Sequence, residues 1–321
     1  YANTTASNNT AVGKSALTAN TTGEANTAVG SLALDANTTG GFNTALGVYA
    51  LSGNTTAANN TAVGWGSLKA NTVGNHSTAL GYKAGLLTTG SRNTWVGALC
   101  GDANTGGTGS VGVGYAALTN STGADNTAVG ASALQSTTTG GLLVAVGASA
   151  LSANTTGSQN TAVGRNALNS TTTGNYNIGL GQGAVSTSAT ASRQCTLGNS
   201  DITNLRCNDT SISSLSDSRD KTDVIDSPYG LDFINTVRPV QFKWETRDGN
   251  AKDGSTRIGF LAQELLEATD GNNAVLDLVL EDNPEKLEAK YGNLLPIAIQ
   301  AIQDLSAQVE ALTARIETLE G

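Results

Sequence analysis

A glycine that closes a short apolar step recurs through the first two thirds of the chain, and its spacing restricts the fold more than any other feature. It stands at Gly13, Gly30, Gly47, Gly64, Gly81, Gly97, Gly114, Gly130, Gly147, Gly164, Gly181 and Gly198. The spacing is 17 residues, with two steps of 16. Each unit approximates Asn-Thr-Ala-Val-Gly-x-x-Ala-Leu-x-x-Asn-Thr-Thr-Gly-x-x. One such unit cannot bury its apolar side alone, so the units must stack.

The repeat predicts a β fold, because its period is too short for a helical solenoid and it lacks a 3.6-residue rhythm. Stacked copies would bury Val and Leu in columns, with Asn and Thr forming hydrogen-bonded ladders at the turns. Two arrangements remain open. Each chain could coil into its own β-roll, resembling the heads of trimeric adhesins, or three chains could wind into an intertwined triple β-helix. The two apolar stretches in each unit favour the roll with paired strands.

Composition changes sharply at residue 215, which predicts a domain boundary. Residues 1–215 carry 7 basic and 6 acidic side chains, whereas residues 216–321 carry 10 and 20, so the net charge of −9 belongs to the last third. All 4 prolines follow this point, and 32 of the 39 glycines precede it. We therefore predict a repeat shaft over residues 1–198, a neck over 199–215 and a separate domain over 216–321.

The last domain reads as a small α+β fold that ends in a long helix. Residues 240–244 and 256–261 resemble a hairpin, and residues 262–268 a short helix. A seam of apolar residues with alternating spacings of three and four then runs to the C-terminus and predicts a coiled coil. The seam consists of Leu295, Ala298, Ile302, Leu305, Val309, Leu312, Ile316 and Leu319. The alternative is a helix that packs on its own domain.

The domain boundary also carries a possible reaction centre, because Ser216 precedes Lys221 by five residues. A serine hydroxyl becomes a good nucleophile only when a neighbouring base takes its proton. The one histidine, His76, lies far away in the repeats, which leaves a lysine as the base. A lysine base requires a pKa about three units below the usual value of about 10.4. Spacing alone also fits a solvated surface lysine.

Residues 215–221, Leu-Ser-Asp-Ser-Arg-Asp-Lys, resemble the start of the endosialidase-type intramolecular chaperone domain, also called the S74 peptidase family. Residues 233–244, 258–264 and 291–305 resemble the later motifs of that family, in the same order. The resemblance implies a homotrimeric phage tail fibre or tailspike whose last domain assists trimeric folding. It also implies one autocatalytic cut between Leu215 and Ser216, with Ser216 as nucleophile and Lys221 as base.

The same resemblance implies where the protein works and with what. We expect a virion component, assembled in the host cytoplasm, that attaches to a receptor or glycan on the host cell. Its principal partner would be itself, as a homotrimer. The alternative is a non-viral trimeric surface adhesin with a non-catalytic trimerisation domain.

Other candidate sites are weaker. Cys100, Cys195 and Cys207 lack the spacing of a disulfide scaffold or zinc site and read as small buried thiols. The aspartates between 217 and 226 lack the ligand order of a calcium loop. We therefore expect no metal and no cofactor. We also expect no nucleic acid as a partner, and no membrane insertion, because the apolar runs are far too short to cross a bilayer.

Aromatic side chains in the repeats offer one further possibility. Five of them follow repeat glycines or occupy variable positions, where an outward ring could stack on a sugar, although structural packing is the favoured explanation. They are Tyr49, Trp65, Tyr82, Trp95 and Tyr115.

Overall fold

The computed structural model describes residues 5–202, 205–206, 216–243 and 254–320 of the 321-residue chain. These residues form two compact units, Tyr1–Asn199 and Ser200–Gly321. We call the first the shaft and the second the C-terminal unit. The predicted neck, residues 199–215, lies mostly outside the described residues, as do Leu215 and Trp244.

The shaft is a β-solenoid in which one chain coils on itself, which confirms the predicted repetitive β fold. Its strands pair in parallel and in sequence order within one 12-stranded sheet. Equivalent residues of neighbouring repeats lie opposite each other, as Thr27 does to Thr44. The strands in the described part of the shaft are β1 (Thr10–Val12), β2 (Thr27–Val29), β3 (Thr44–Leu46), β4 (Thr61–Val63), β5 (Thr78–Leu80), β6 (Thr94–Val96), β7 (Val111–Val113), β8 (Thr127–Val129), β9 (Val144–Val146), β10 (Thr161–Val163), β11 (Ile178–Leu180) and β12 (Cys195–Leu197).

The repeat glycine ends each strand, and both its backbone angle and its surroundings require it. Gly47 has a φ of +140°, which side chains of L-residues rarely allow. A Cβ atom on Gly47 would lie 2.5 Å from the carbonyl oxygen of Gly64 in the next coil. Each strand therefore ends after three residues, and neighbouring coils approach closely along the column of repeat glycines.

The side chains that fill the shaft differ from those predicted. A three-residue strand directs only its middle side chain inwards, so Ala28 and Ala45 are fully buried. The third residue faces outwards, and Val12 is 57% exposed, so the expected buried valine column is wrong. The second apolar stretch is a turn rather than a strand. Its leucines are buried with left-handed backbone angles, such as φ 50° at Leu34.

Buried polar ladders hold the turns together, as the repeating asparagines predict. Asn37 Nδ2 donates to Asn20 Oδ1 at 2.9 Å, and Asn54 Nδ2 donates to Asn37 Oδ1 at 2.7 Å. A second column uses the backbone: Asn26 Oδ1 accepts from the N–H of Asn43 at 3.0 Å. Each amide thereby satisfies polar groups that would otherwise be costly to bury.

One coil replaces the usual small strand residue with a large one and compensates in its neighbours. Trp95 occupies the middle of β6 and is fully buried. Gly85 and Gly101 stand where other coils have the buried leucine, and a Cβ at either would lie 2.5 Å from the indole. Gly112 replaces the strand alanine of the next coil, where a Cβ would lie 2.9 Å from the same ring. Trp95 is thus a core residue.

The C-terminal unit is a small α+β fold that ends in a long helix, as predicted. Its helices and strands, among the described residues, are α1 (Leu231–Ile234), β13 (Val240–Lys243), β14 (Thr256–Gly259), α2 (Ala262–Ala268), α3 (Asn273–Leu276), β15 (Val279–Leu280), β16 (Glu288–Ala289) and α4 (Leu294–Glu320). Strands β13 and β14 pair in antiparallel fashion, and so do β15 and β16. The predicted hairpin and the helix over 262–268 are both confirmed.

The core of the C-terminal unit is small and lies where α2, α3, β15 and the start of α4 meet. It consists of Leu265, Leu276, Leu278, Val279, Leu294 and Ile297. Pro296 is accommodated because it falls in the first turn of α4, where backbone N–H groups have no helical partner. No described helix is long and apolar enough to cross a membrane.

Candidate functional site

Ser216 and Lys221, the predicted nucleophile and base, lie within hydrogen-bonding distance of each other. Lys221 Nζ donates to Ser216 Oγ at 2.6 Å. A one-turn 3-10 helix over Ser218–Asp220 reverses the chain between them, and the backbone N–H of Lys221 bonds to the Ser218 carbonyl. This turn allows side chains five residues apart to meet. Leu215, whose carbonyl would be attacked, lies outside the described residues.

Asp217 organises the same turn. Its Oδ1 accepts from the backbone N–H of Arg219 at 2.9 Å and so caps the turn. The Arg219 side chain donates to the same carboxylate through Nε and Nη2, and Nη2 lies 2.6 Å from Oδ2. This hydrogen bonding holds the pKa of Asp217 below its usual value. The charge of Arg219 is therefore engaged by Asp217 instead of acting as a free cation on Lys221.

The segment that carries these residues is open to solvent in a single chain. Ser216 and Lys221 are both exposed, and so are the apolar side chains of Val224 and Ile225. An exposed lysine remains hydrated, which opposes its use as a base. A single chain therefore brings the two groups together without supplying the dry surroundings that the chemistry requires.

The three stretches that resemble later family motifs pack against one another. Arg238, from the first stretch, forms a two-point ion pair with Glu264, from the second. Tyr291, from the third, packs edge-on against Phe260 with ring centroids 5.3 Å apart. The Tyr291 hydroxyl also contacts the Phe260 backbone at 3.3 Å. The motifs thus form the framework of the unit.

A further contact links α4 to α1, and no sequence motif indicates it. The Asp304 carboxylate accepts from the N–H of Leu231 at 2.9 Å and from Gln300 Nε2 at 2.9 Å. These bonds, with Gln300 first, hold the pKa of Asp304 below its usual value. Gly230 permits the approach, because a Cβ there would lie 2.0 Å from Asp304 Oδ2. Only the fold brings together residues 73 positions apart.

Two faces of α4 have different environments. Leu294, Ile297 and Ala301 are buried against the rest of the unit, which is the packing that the alternative interpretation of this helix describes. The predicted heptad seam lies on another face. Seven of its members are exposed in the single chain: Leu295, Ile302, Leu305, Val309, Leu312, Ile316 and Leu319. The helix therefore packs on its own domain and still presents an apolar stripe.

The remaining candidate side chains are the cysteines and the possible metal ligands. Cys100 is buried, and burial raises the pKa of its thiol to about 12, whereas Cys195 is exposed, which corrects the expectation of a buried thiol there. Cys207 lies outside the described residues. Across the described ranges, no three His, Cys, Asp or Glu side chains are grouped so as to hold a metal ion.

Comparison with known proteins matches residues 216–276 to the peptidase S74 family, described as the chaperone of endosialidase. The match begins at Ser216 and extends through α3. No curated protein and no solved structure matches the chain significantly. A chaperone domain of this family behind a β-solenoid shaft fits a phage tail fibre and supports a trimeric, fibre-like protein.

Proposed function

We propose that the chain is a homotrimeric tail-fibre protein with which a phage attaches to its host cell. In this proposal it assembles in the host cytoplasm and becomes part of the virion. Its C-terminal domain assists trimeric folding and then releases itself by cutting the Leu215–Ser216 bond. The family match and the solenoid support the assembly role.

The observation that carries the proposed cut is the 2.6 Å distance between Lys221 Nζ and Ser216 Oγ, at the first residue of the family match. In the described state the lysine donates to the hydroxyl. Loss of one proton from the ammonium group would reverse this hydrogen bond, so that the hydroxyl donates to the amine. The pair is then arranged for general-base activation of the serine.

The reaction needs no bound substrate, because nucleophile and target are adjacent in the chain. Ser216 Oγ bonds to the carbonyl carbon of Leu215 and gives its proton to the lysine amine. The C–N bond breaks, and the proton passes from the lysine to the departing amine of Ser216. Water then hydrolyses the resulting ester, leaving a carboxylate on Leu215 and restoring the hydroxyl of Ser216. Proximity replaces substrate binding.

Additional copies of the chain would supply the dry surroundings that a single chain lacks. Packing of three copies against the exposed segment would desolvate the lysine, which favours its neutral, basic form. Val224 and Ile225 beside the site are apolar side chains that such packing would cover. Cutting would then follow assembly and depend on it.

Two surfaces support self-association. The first and third residues of each strand face outwards on the shaft sheet. The third residue is Val or Leu in every described strand, and no charged residue occupies either position. With strands about 4.8 Å apart and residues about 3.3 Å apart, this face covers about 500 Å². A stable interface needs about 800 Å² per partner, so the exposed seam of α4 would add to it. The column of Val and Leu on this face and the exposed seam of α4 are contiguous apolar surfaces, and such surfaces commonly mark contacts with other chains.

Intact mass of the purified protein tests the proposed cut. The expected products are a shaft fragment and a fragment that begins Ser-Asp-Ser-Arg, formed without added protease. Ser216→Ala and Lys221→Ala should each leave a full-length chain that still assembles. Lys221→Arg should also stay intact, since arginine keeps its proton. Ser218→Ala, in the same turn, is the matched control and should cut normally. Normal cutting by Ser216→Ala would refute the serine mechanism.

A further inference from the structure

A groove on the shaft surface gathers the exposed aromatic and basic side chains of adjacent coils. Its volume is about 450 Å³, and its lining includes Asp35, Tyr49, Trp65, Lys69, Lys83 and Leu86. We call it the aromatic groove. It uses positions that follow the repeat glycines, whereas the apolar sheet face uses strand positions. The aromatic groove and the apolar sheet face therefore share no residue.

Three aromatic rings form a continuous column beside the groove. Tyr49 meets Trp65 edge-on with centroids 6.0 Å apart, and Trp65 stacks on Tyr82 at 5.4 Å. Trp65 is 40% exposed and Tyr82 50% exposed, in contrast to the fully buried Trp95. The coil itself does not require these rings. The position directly after the repeat glycine, which holds Trp65 and Tyr82, is alanine at Ala98, and the next position, which holds Tyr49, is serine at Ser15. An exposed aromatic column without a structural requirement indicates a binding surface.

The charges around the rings favour an anionic ligand. Lys69 Nζ lies 4.8 Å from the centre of the Tyr49 ring. Lys83 Nζ lies 5.6 Å from the centre of Trp65 and 5.3 Å from that of Tyr82. These are two of the three lysines in the shaft, the other being Lys14. Asp35 also lines the groove and Asp102 interacts electrostatically with Lys83, so an anion would be held here by direct pairing with the two ammonium groups and not by a net positive charge.

Asp35 adds a hydrogen-bond acceptor at the groove. Its Oδ1 atom is buried and has no hydrogen-bond partner among the described residues. Burial raises the pKa of this carboxyl above its usual value. A buried polar atom without a partner is costly, and a rotation of the Asp35 side chain that brings Oδ1 to a ligand hydroxyl would remove that cost.

We propose that the aromatic groove binds an acidic saccharide. The C–H faces of the sugar rings would pack against Tyr49, Trp65 and Tyr82, and carboxylate or sulfate groups would pair with Lys69 and Lys83. A sugar hydroxyl would donate to Asp35 Oδ1. A nucleic-acid strand fits less well, because it needs a row of cations along its phosphates and the groove offers only two lysines.

This inference rests on the proposed attachment function, since it names the ligand class through which the fibre would hold its host. The test uses the protein produced from the full chain, once light scattering has verified its assembly and intact mass has recorded whether it is cut. A failure of the groove is then distinct from a failure of assembly. The probe is an array of uronic-acid-containing, sulfated and neutral oligosaccharides, with Kd values for positive spots measured by calorimetry.

Binding to acidic but not neutral saccharides is the expected result, and it should weaken as salt is raised. Trp65→Ala and Lys83→Ala should each weaken binding at least tenfold. Tyr115→Ala and Lys14→Ala are the matched controls, since both are exposed residues that directly follow a repeat glycine, and they should leave Kd unchanged. An array without acidic-saccharide binding would overturn the proposal. Equal binding of neutral saccharides, or an unchanged Kd for Trp65→Ala, would overturn it as well.

Discussion

The shaft and the C-terminal unit differ in how far a single chain buries their apolar side chains and pairs their backbone groups. In the shaft each coil donates backbone hydrogen bonds to its neighbours, and the same Ala, Leu and Asn positions are buried repeatedly. The C-terminal unit buries only a small core and exposes seven residues of one apolar seam on α4. A repetitive fold can propagate from coil to coil without assistance. The described coils repeat the same surface every 16 or 17 residues, so they do not define the number or alignment of copies, and the C-terminal unit is suited to provide both.

Removing the C-terminal unit should have the largest effect, which is the loss of defined assembly. Residues 1–215 expressed alone would still present an uncharged Val and Leu face but would lack the seam that brings copies together in register. We expect polydisperse or insoluble material in place of a defined trimer, as measured by light scattering. A soluble, heat-resistant trimer of residues 1–215 would contradict the chaperone role.

A charge on the outer sheet face should prevent assembly without unfolding the coil. Val146 ends β9 and is 37% exposed in one chain, so Val146→Asp is tolerable in the isolated solenoid. Between copies the same carboxylate would be buried without a partner, at a cost of several kcal/mol. Sedimentation should show loss of the trimer, with an unchanged circular dichroism spectrum. Gln135→Asp, an exposed change elsewhere on the shaft, should assemble normally.

The two shaft tryptophans should respond differently to truncation. Trp95→Ala leaves a cavity within three coils and should cost about 3–5 kcal/mol, which lowers the thermal midpoint of the shaft. Trp65→Ala removes an exposed ring and should cost about 0.5 kcal/mol or less. Gly85→Leu and Gly101→Leu, added to Trp95→Ala, restore the repeat pattern and should recover part of the loss. Equal midpoints for the two single variants would refute the assignment of Trp95 to the core.

The smallest effect concerns the link between α4 and α1. Because the folded pKa of Asp304 lies below its unfolded value, its contribution is present above about pH 4 and is lost as pH falls. Asp304→Asn should therefore lower the melting temperature of the C-terminal unit at pH 7, and this difference should shrink steadily as the pH is lowered below 4. A difference that stays the same size throughout the acid range would show that the carboxylate charge is not responsible.

The sequence predicts the elements better than it predicts which side chains fill them. The repeat glycines, the asparagine ladders, the helix Ala262–Ala268 and the apolar seam are visible because each depends on local spacing. The direction of Val and Leu in the coil is not predictable, because a three-residue strand is too short for its sequence to reveal which side chains point inwards. Leucines such as Leu34 adopt a left-handed angle that their residue type normally disfavours, so the turn was mistaken for a strand.

The same limit applies to the candidate site. Ser216 and Lys221 could be named from the motif, since they share one short segment. The capping of their turn by Asp217 was also within reach, because aspartate commonly caps such turns. The Arg238–Glu264 pair and the Asp304–Leu231 bond join residues distant in sequence, and only the fold reveals them. Trp95 could have been recognised as a core residue, because Gly85, Gly101 and Gly112 all depart from the repeat around it.

Cutting in a chain that cannot assemble tests the central claim, that copies of the chain complete the reaction centre. Ile302→Asp with Leu305→Asp disrupts the exposed seam and leaves Ser216 and Lys221 unchanged. Light scattering and intact mass, followed together over time, should show unassembled, full-length protein. Gln303→Asp, an exposed change beside the seam, should assemble and cut normally. A seam variant that stays unassembled yet cuts between Leu215 and Ser216 at the normal rate would contradict the account.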